Sequence, residues 1–203
     1  MIDLILYGPS GPQPLGHPAT VRVRLRNAGD RDLWIAGVLD GSENGLRLPR
    51  YRPTVTRLGD GVVVASPAPA EDPLVAPLRP ADLRALAPGE SWDPTSGPGC
   101  LPLMTFAHFV PRRPGRYRYA LTLDTGADTD TGADTDTGAD TDTGADTDTD
   151  VGADTDNATT GRPEDWLGGF GVPAGTARAE LLALVARVPR TRVVADPVEV
   201  DFH

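Results

Sequence analysis

The side chains best able to support nucleophilic catalysis in this chain are its single cysteine, Cys100, and His108, eight residues later. A cysteine nucleophile needs a base within reach, and a carboxylate such as Asp93 could orient the imidazole. The other histidines, His17 and His203, form no pair with zinc-protease spacing. Serine-nucleophile, phosphate-loop and dinucleotide motifs are also lacking. We therefore predict no catalytic residues and no cofactor, with a Cys/His-dependent hydrolase as the alternative.

One short run resembles part of a calcium loop. Asp40, Ser42 and Asn44 occupy loop positions one, three and five, and Gly45 occupies position six. Position twelve, which requires a bidentate glutamate, is Tyr51, and the flanking residues resemble strands instead of helices. A turn rich in Asx and glycine residues explains the run without a metal, so we predict no metal site here.

A hexapeptide, Thr-Gly-Ala-Asp-Thr-Asp, begins at Thr125 and repeats through residue 148 before it degenerates. Its largest apolar side chain is alanine, which buries too little surface to offset the backbone entropy of folding. We predict that residues 124–161 form a disordered, low-complexity acidic loop with weak, non-specific cation association. A functional calcium-binding or spacer role for this loop is a second alternative.

The negative charge of the chain is concentrated in that loop. Residues 124–156 contain 12 Asp and no basic residue, whereas the rest of the chain has 17 acidic and 19 basic residues. The arginines gather only in short rows, such as 22–26 and 112–118, so we predict no nucleic-acid partner. Membrane-length apolar runs and a signal-like N-terminus are lacking, so we expect no membrane association and a cytoplasmic location.

The elements that must position these residues are predominantly strands. Apolar and polar residues alternate in several segments, and glycine- or proline-rich turns separate them. The predicted strands are 2–7, 21–26, 33–39, 103–110, 116–123 and 192–202, with a hairpin over 57–65. Seven to nine short strands of this kind predict an all-β, antiparallel β-sandwich.

Two segments favour helix. Residues 174–187 carry an apolar stripe before Pro189, and they predict a helix within an insertion, 162–189, that packs on the sandwich. The stripe comprises Ala177, Leu181, Leu184, Val185 and Val188. Residues 80–86 have the spacing of a single helical turn. The three tryptophans have apolar neighbours and are predicted to be core residues: Trp34, Trp92 and Trp166.

Two short motifs carry a family resemblance. Pro-Gly-Glu-Ser at 88–91 and Pro-Gly-Arg-Tyr at 114–117 resemble a pair found in bacterial immunoglobulin-like sandwiches of the intracellular proteinase-inhibitor type. The resemblance implies an immunoglobulin-like domain from 1–123 plus 190–203, with the repeat and helix inserted between the last two strands. It implies a buried Tyr117 whose hydroxyl is hydrogen-bonded. Because the sandwich pattern comes with no convergent catalytic groups, we predict a non-enzymatic interaction module that presents loops or a sheet edge to a protein partner. A protease-inhibitor role is implied by the resemblance alone.

Overall fold

The computed structural model describes residues 1–37, 40–69, 75–96, 101–126, 162–168 and 174–203. These residues form mostly β-structure, in three antiparallel sheets, with two α-helices. The strands are β1 (Ile2–Tyr7), β2 (Arg22–Asn27), β3 (Leu33–Ala36), β4 (Arg50–Arg57), β5 (Val62–Ala65), β6 (Leu83–Leu86), β7 (Ser91–Trp92), β8 (Gly115–Asp124), β9 (Arg192–Val194) and β10 (Val198–Phe202). The helices are α1 (Met104–His108) and α2 (Gly175–Val185).

The first sheet has the order β1–β2–β7. Strand β2 buries Val23 and Leu25 on one face and exposes its arginines on the other, and β1 alternates in the same way. This pattern confirms the period-two prediction for both strands, because alternate side chains of a strand point to opposite faces.

The largest sheet has the order β10–β8–β4–β5, and β9 continues the β10 side of β8. Strand β8 pairs with β4 along its whole opposite edge, from Tyr117↔Arg57 to Asp124↔Arg50. Strand β5, in contrast, pairs with only Val55–Arg57 of β4. Pro53 of β4 has no N–H group to offer the next strand, so the ladder with β5 ends before it reaches that residue.

The two larger sheets bury their apolar faces in one core cluster. That cluster contains Leu4, Leu6 and Leu25 from the first sheet, with Tyr119 and Phe202 from the other. The aromatic rings meet edge-on: the centroids of Tyr117 and Phe202 are 5.4 Å apart with an interplanar angle of 90°. Such edge-to-face contacts stabilise a core beyond the burial of area alone.

A second core cluster lies beneath α2. Leu181 and Val185 of α2 pack with Ala36 of β3 and Leu83 of β6, the two strands of the third sheet. Trp166 is buried in the same cluster. The helix thus forms within two residues of the predicted 174–187, although Ala177, at the start of the predicted stripe, is exposed.

The chain leaves β8 and returns to β9 through a hydrogen-bonded neck. Thr125 N donates to Thr191 O at 2.9 Å, and Thr191 N donates to Thr125 Oγ1 at 2.7 Å. The Thr125 hydroxyl lies 2.7 Å from Pro189 O. Residues 124–126 therefore belong to the ordered strand end, although we predicted that the acidic loop begins at 124. The rest of the predicted loop, 127–161, lies outside the described residues.

Three predicted elements were wrong in type or extent. Residues 103–110 contain the short helix α1 and no strand. Residues 80–86 form a 3₁₀ turn, Pro80–Asp82, followed directly by β6. The last predicted strand, 192–202, is divided into β9 and β10 around Pro197, which has no N–H for the ladder.

Candidate functional site

An open cleft of about 770 Å³ lies at the end of the β5 edge. Three segments form its walls: residues 40–44, residues 64–69 and residues 101–112. We call this feature the β5 cleft. Pairing between β4 and β5 stops at Ala65, and the chain then turns away from the sheet along Ser66–Pro67–Ala68–Pro69, which forms one wall.

Strand β5 is an apolar sheet edge. Within the described part of the chain no strand pairs with its outer side. Val62 and Val63 are 47% and 56% exposed, and the strand carries no charged residue. A register shift between Val55 and Thr56 of β4 makes Val64 an extra residue that packs against the core. Edge strands are usually protected by charges, so exposed valines here mark a surface able to accept another strand.

The turn at 40–45 forms the second wall. Gly41 has a φ of +80°, and a Cβ built there would lie 2.9 Å from a methyl carbon of Val75, so only glycine fits. Asp40 Oδ2 accepts a hydrogen bond of 3.1 Å from Ala76 N. Burial lowers the pKa of the Arg47 guanidinium, which donates to Ala76 O, and the negative charge of Asp40 partly opposes this shift. These contacts connect the turn to the loop that precedes β6.

Glu43 joins this turn to α1. Its carboxylate accepts hydrogen bonds from Thr105 N at 3.1 Å, from Thr105 Oγ1 at 2.7 Å, and from Met104 N. The helix has no side-chain cap of its own, so Glu43 supplies the acceptor that a helix start requires. Phe106 fixes the other side of the helix, with its ring centroid 5.3 Å from that of Tyr119.

His108 ends α1 and is exposed in the β5 cleft. In a helix Phe106 faces the core while His108 points elsewhere, whereas a strand would have put both on one face. The cleft also contains Asp40, Glu43 and Arg112, together with three exposed apolar side chains: Leu101, Met104 and Val110. It therefore offers apolar contact with a few charged groups.

The candidate hydrolase residues are not assembled in the described structure. Asp93 does not line the cleft with His108; its Oδ1 accepts hydrogen bonds from Thr95 N and Thr95 Oγ1 at 2.8 and 2.6 Å. Cys100 lies outside the described residues. Among the described residues no group of three or more His, Cys, Asp or Glu side chains could hold a metal ion.

The remaining singled-out residues lie elsewhere. Trp166 is buried, whereas Trp34 and Trp92 are partly buried and each has an arginine over its ring, at 5.4 and 5.9 Å from the centroid. His17 and His203 are exposed outside the cleft.

Neither Glu43 nor the exposed valines of β5 were candidate functional residues from the sequence. A run of three valines without a charge, directly after a glycine turn, was the available signal for the latter.

Neither helix of the described residues has the length and apolar character that a bilayer crossing requires. No protein-family model matches the chain, and neither curated proteins nor solved structures match it significantly.

Proposed function

We propose that this chain is a non-enzymatic, immunoglobulin-like β-sandwich module that binds an extended segment of a partner protein at β5 and the β5 cleft. The observation that carries the proposal is the exposed, uncharged edge of β5, which leads into a cleft with exposed apolar side chains. A β-strand can be added to such an edge through main-chain hydrogen bonds, and neighbouring pockets then select side chains.

Two local features support the immunoglobulin-like part of the proposal. Tyr117 is buried, and its hydroxyl donates a 2.8 Å hydrogen bond to Arg113 O, four residues upstream, as in the tyrosine corner of such domains. The Pro-Gly-Glu-Ser motif forms a tight turn, in which Gly89 has a φ of +77° and Glu90 N donates to Ala87 O at 2.9 Å.

The first sheet and the largest sheet also contribute to one core, as the two layers of a sandwich do. The strands β8 and β9–β10 are antiparallel neighbours, and residues 125–191 lie between them in sequence. This connectivity agrees with a long insertion between the last two strands. The proposed architecture leaves β5 at one edge of a sheet, where a partner segment has access to its main chain.

The cleft adds selectivity to this edge. Val64 and Ala65 belong both to β5 and to the cleft wall, so a strand added to β5 would continue over Leu101, Met104 and Val110. Apolar side chains of the bound segment would meet these residues, because alternate side chains of an extended segment point to the same side. The binding segment is therefore expected to be extended and rich in β-branched residues.

The test places a charge on the proposed edge. A capped hexapeptide of alternating Thr and Val is titrated into the ¹⁵N-labelled protein, and amide exchange of β5 is followed. We expect binding that protects β5 amides, and Val63→Lys should weaken it about tenfold or more, because a lysine blocks strand addition. Val194→Lys is the matched control, since Val194 is 66% exposed but lies on β9, away from the cleft.

Equal weakening by the two lysine variants would contradict the proposal. So would peptide-induced protection confined to strands other than β5, or no binding at all at millimolar peptide. Each variant is first compared with the parent protein by thermal unfolding, so that a loss of fold is not taken for a loss of binding.

A further inference from the structure

A row of three arginines lies on the outward face of β2. Arg22, Arg24 and Arg26 are all exposed, while the residues between them are buried. Alternate residues of a strand are about 6.8 Å apart, so the row presents three positive charges at that interval. We call it the arginine row; it lies on the first sheet, which does not contain β5.

The two neighbouring strands, β1 and β7, leave this charge largely uncompensated. On the β7 side, Arg26 lies opposite Ser91. In the register of β1 and β2, Arg22 lies opposite Tyr7, Arg24 opposite Ile5, and Arg26 opposite Asp3. No ion pair within 4.0 Å involves any of the three arginines in the described part of the molecule, and Asp3 is the single carboxylate in register with them.

Two exposed arginines of the larger sheet are paired. Arg116 and Arg118 of β8 both contact Glu199 of β10, the latter at 3.3 Å. The arginine row has no such cross-strand ion pair in the described part of the molecule.

One member of the row is held in position. The guanidinium carbon of Arg24 lies 5.1 Å from the centroid of the Tyr7 ring, within the range of a cation–π contact. Tyr7 is itself exposed, so the pair stands at the surface with its charge accessible. Holding a long side chain in place reduces the entropy that is lost when it binds a ligand.

We propose that the arginine row binds an extended acidic peptide segment of a partner protein, with carboxylates at every second residue. In an extended peptide these carboxylates lie on one side and are about 6.8 Å apart, which matches the spacing of the arginines. The guanidinium fork can donate two parallel hydrogen bonds to the two oxygens of each carboxylate. Ile5, partly buried between Asp3 and Tyr7, gives the segment an apolar contact midway along the row.

The observations favour an acidic peptide over a nucleic acid. Nucleic-acid binding relies on many phosphate contacts, six to ten in well-characterised cases, whereas this face offers three arginines. A short segment with three carboxylates needs only the local charge of the row.

The experiment titrates a fluorescent peptide, (Thr-Asp)₄, into the full chain at low salt, so that binding is measured in the presence of the chain's own aspartates. A control peptide of the same composition, with the order Asp-Asp-Thr-Thr, tests the spacing. We expect the alternating peptide to bind more tightly than the control. Each of Arg22→Gln, Arg24→Gln and Arg26→Gln should weaken binding about two- to fivefold, as for an exposed ion pair.

The triple variant should lose about tenfold or more, and raising the salt should weaken binding of the parent protein. Arg116→Gln, whose arginine is already paired with Glu199, should leave peptide affinity unchanged and serves as the control. Absence of binding, equal affinity for both peptides, or an equal effect of Arg116→Gln would overturn the proposal. Tighter binding of an eight-nucleotide oligo-dT through the same arginines would also overturn it.

Discussion

Replacing Glu43 by alanine should separate the turn at 40–45 from α1. The carboxylate accepts hydrogen bonds from two main-chain N–H groups at the start of the helix and from the Thr105 hydroxyl. Loss of a helix cap costs about 0.5–2 kcal/mol, and a hydrogen bond to a charged group contributes about 1.5–3 kcal/mol. Because Met104 is exposed, water can replace part of this set. We therefore expect a loss of about 2 kcal/mol, or about 4–8 °C in Tm for a chain of this size.

Thermal unfolding followed by near-ultraviolet circular dichroism measures the effect, with urea unfolding as an independent estimate of the free energy. Glu43→Gln is the matched control, since it keeps one carbonyl acceptor but replaces the other accepting carboxylate oxygen by an NH₂ group and removes the charge. It should lie between the parent protein and Glu43→Ala. A Tm for Glu43→Ala within about 1 °C of the parent value would refute the assigned role, because so small a shift corresponds to less than about 0.5 kcal/mol.

Two further predictions concern stability. Tyr117→Phe should lower the free energy of unfolding by about 1 kcal/mol, since it removes a main-chain hydrogen bond, whereas Tyr119→Phe should not, since the buried Tyr119 hydroxyl has no hydrogen-bond partner in the described structure. Urea unfolding compares the two variants, and equal losses would contradict the assignment. The Ala87 N–H and then the Arg84 guanidinium lower the pKa of the Glu90 carboxyl. Its stabilising contribution is therefore present above the ordinary value of 4.5 and is lost as the pH falls through the lower pKa of the folded state. Glu90→Gln should accordingly reduce the decline of Tm below that pH, and an unchanged decline would exclude this group as its source.

The strands with one buried face were predictable because the relevant information is local. In β2, arginine alternates with valine or leucine, which predicts that the apolar side chains face the core. In the structure these apolar side chains are buried and the arginines are exposed. Strand β8 follows the same rule through Tyr117, Tyr119 and Leu121, all of which are buried. In a half-buried strand, consecutive residues alternate between the core and the solvent. The sequence of the strand alone therefore indicates which side chains are buried.

Helix α1 could not be predicted in this way, because its stabilising contacts come from distant residues. Its N–H groups are satisfied by Glu43, 61 residues before Met104, and Phe106 packs against Tyr119. The only local sign was the three-residue spacing of Leu103 and Phe106, both buried, which fits a helical turn better than a strand. The high apolar content of residues 103–110 nevertheless favoured a strand in the sequence.

The candidate site depends on the same kind of distant information. That β5 forms a sheet edge follows from where its pairing with β4 stops, and that the cleft opens there follows from how Glu43 positions α1. Val63 is exposed because of this arrangement, and the residues adjacent to it in the sequence do not indicate that exposure. Sequence reasoning therefore predicted a protein partner that binds loops or a sheet edge, but not which loops or which edge.

The insertion between β8 and β9 shows why this fold can accommodate the acidic repeat. Antiparallel neighbours can be joined by a tight turn of about four residues, whereas residues 125–191 join these two. The entropy of closing a flexible loop grows only with the logarithm of its length, so a connection roughly sixteenfold longer would add about 2–3 kcal/mol even if it were flexible throughout. The hydrogen bonds between Thr125 and Thr191, together with the packing of the second core cluster, can offset a free-energy cost of that magnitude. By the same relation, one more hexapeptide changes the closure term by only about 0.1 kcal/mol. If the tract is disordered, as its sequence predicts, the number of repeats has almost no effect on the stability of the sheets.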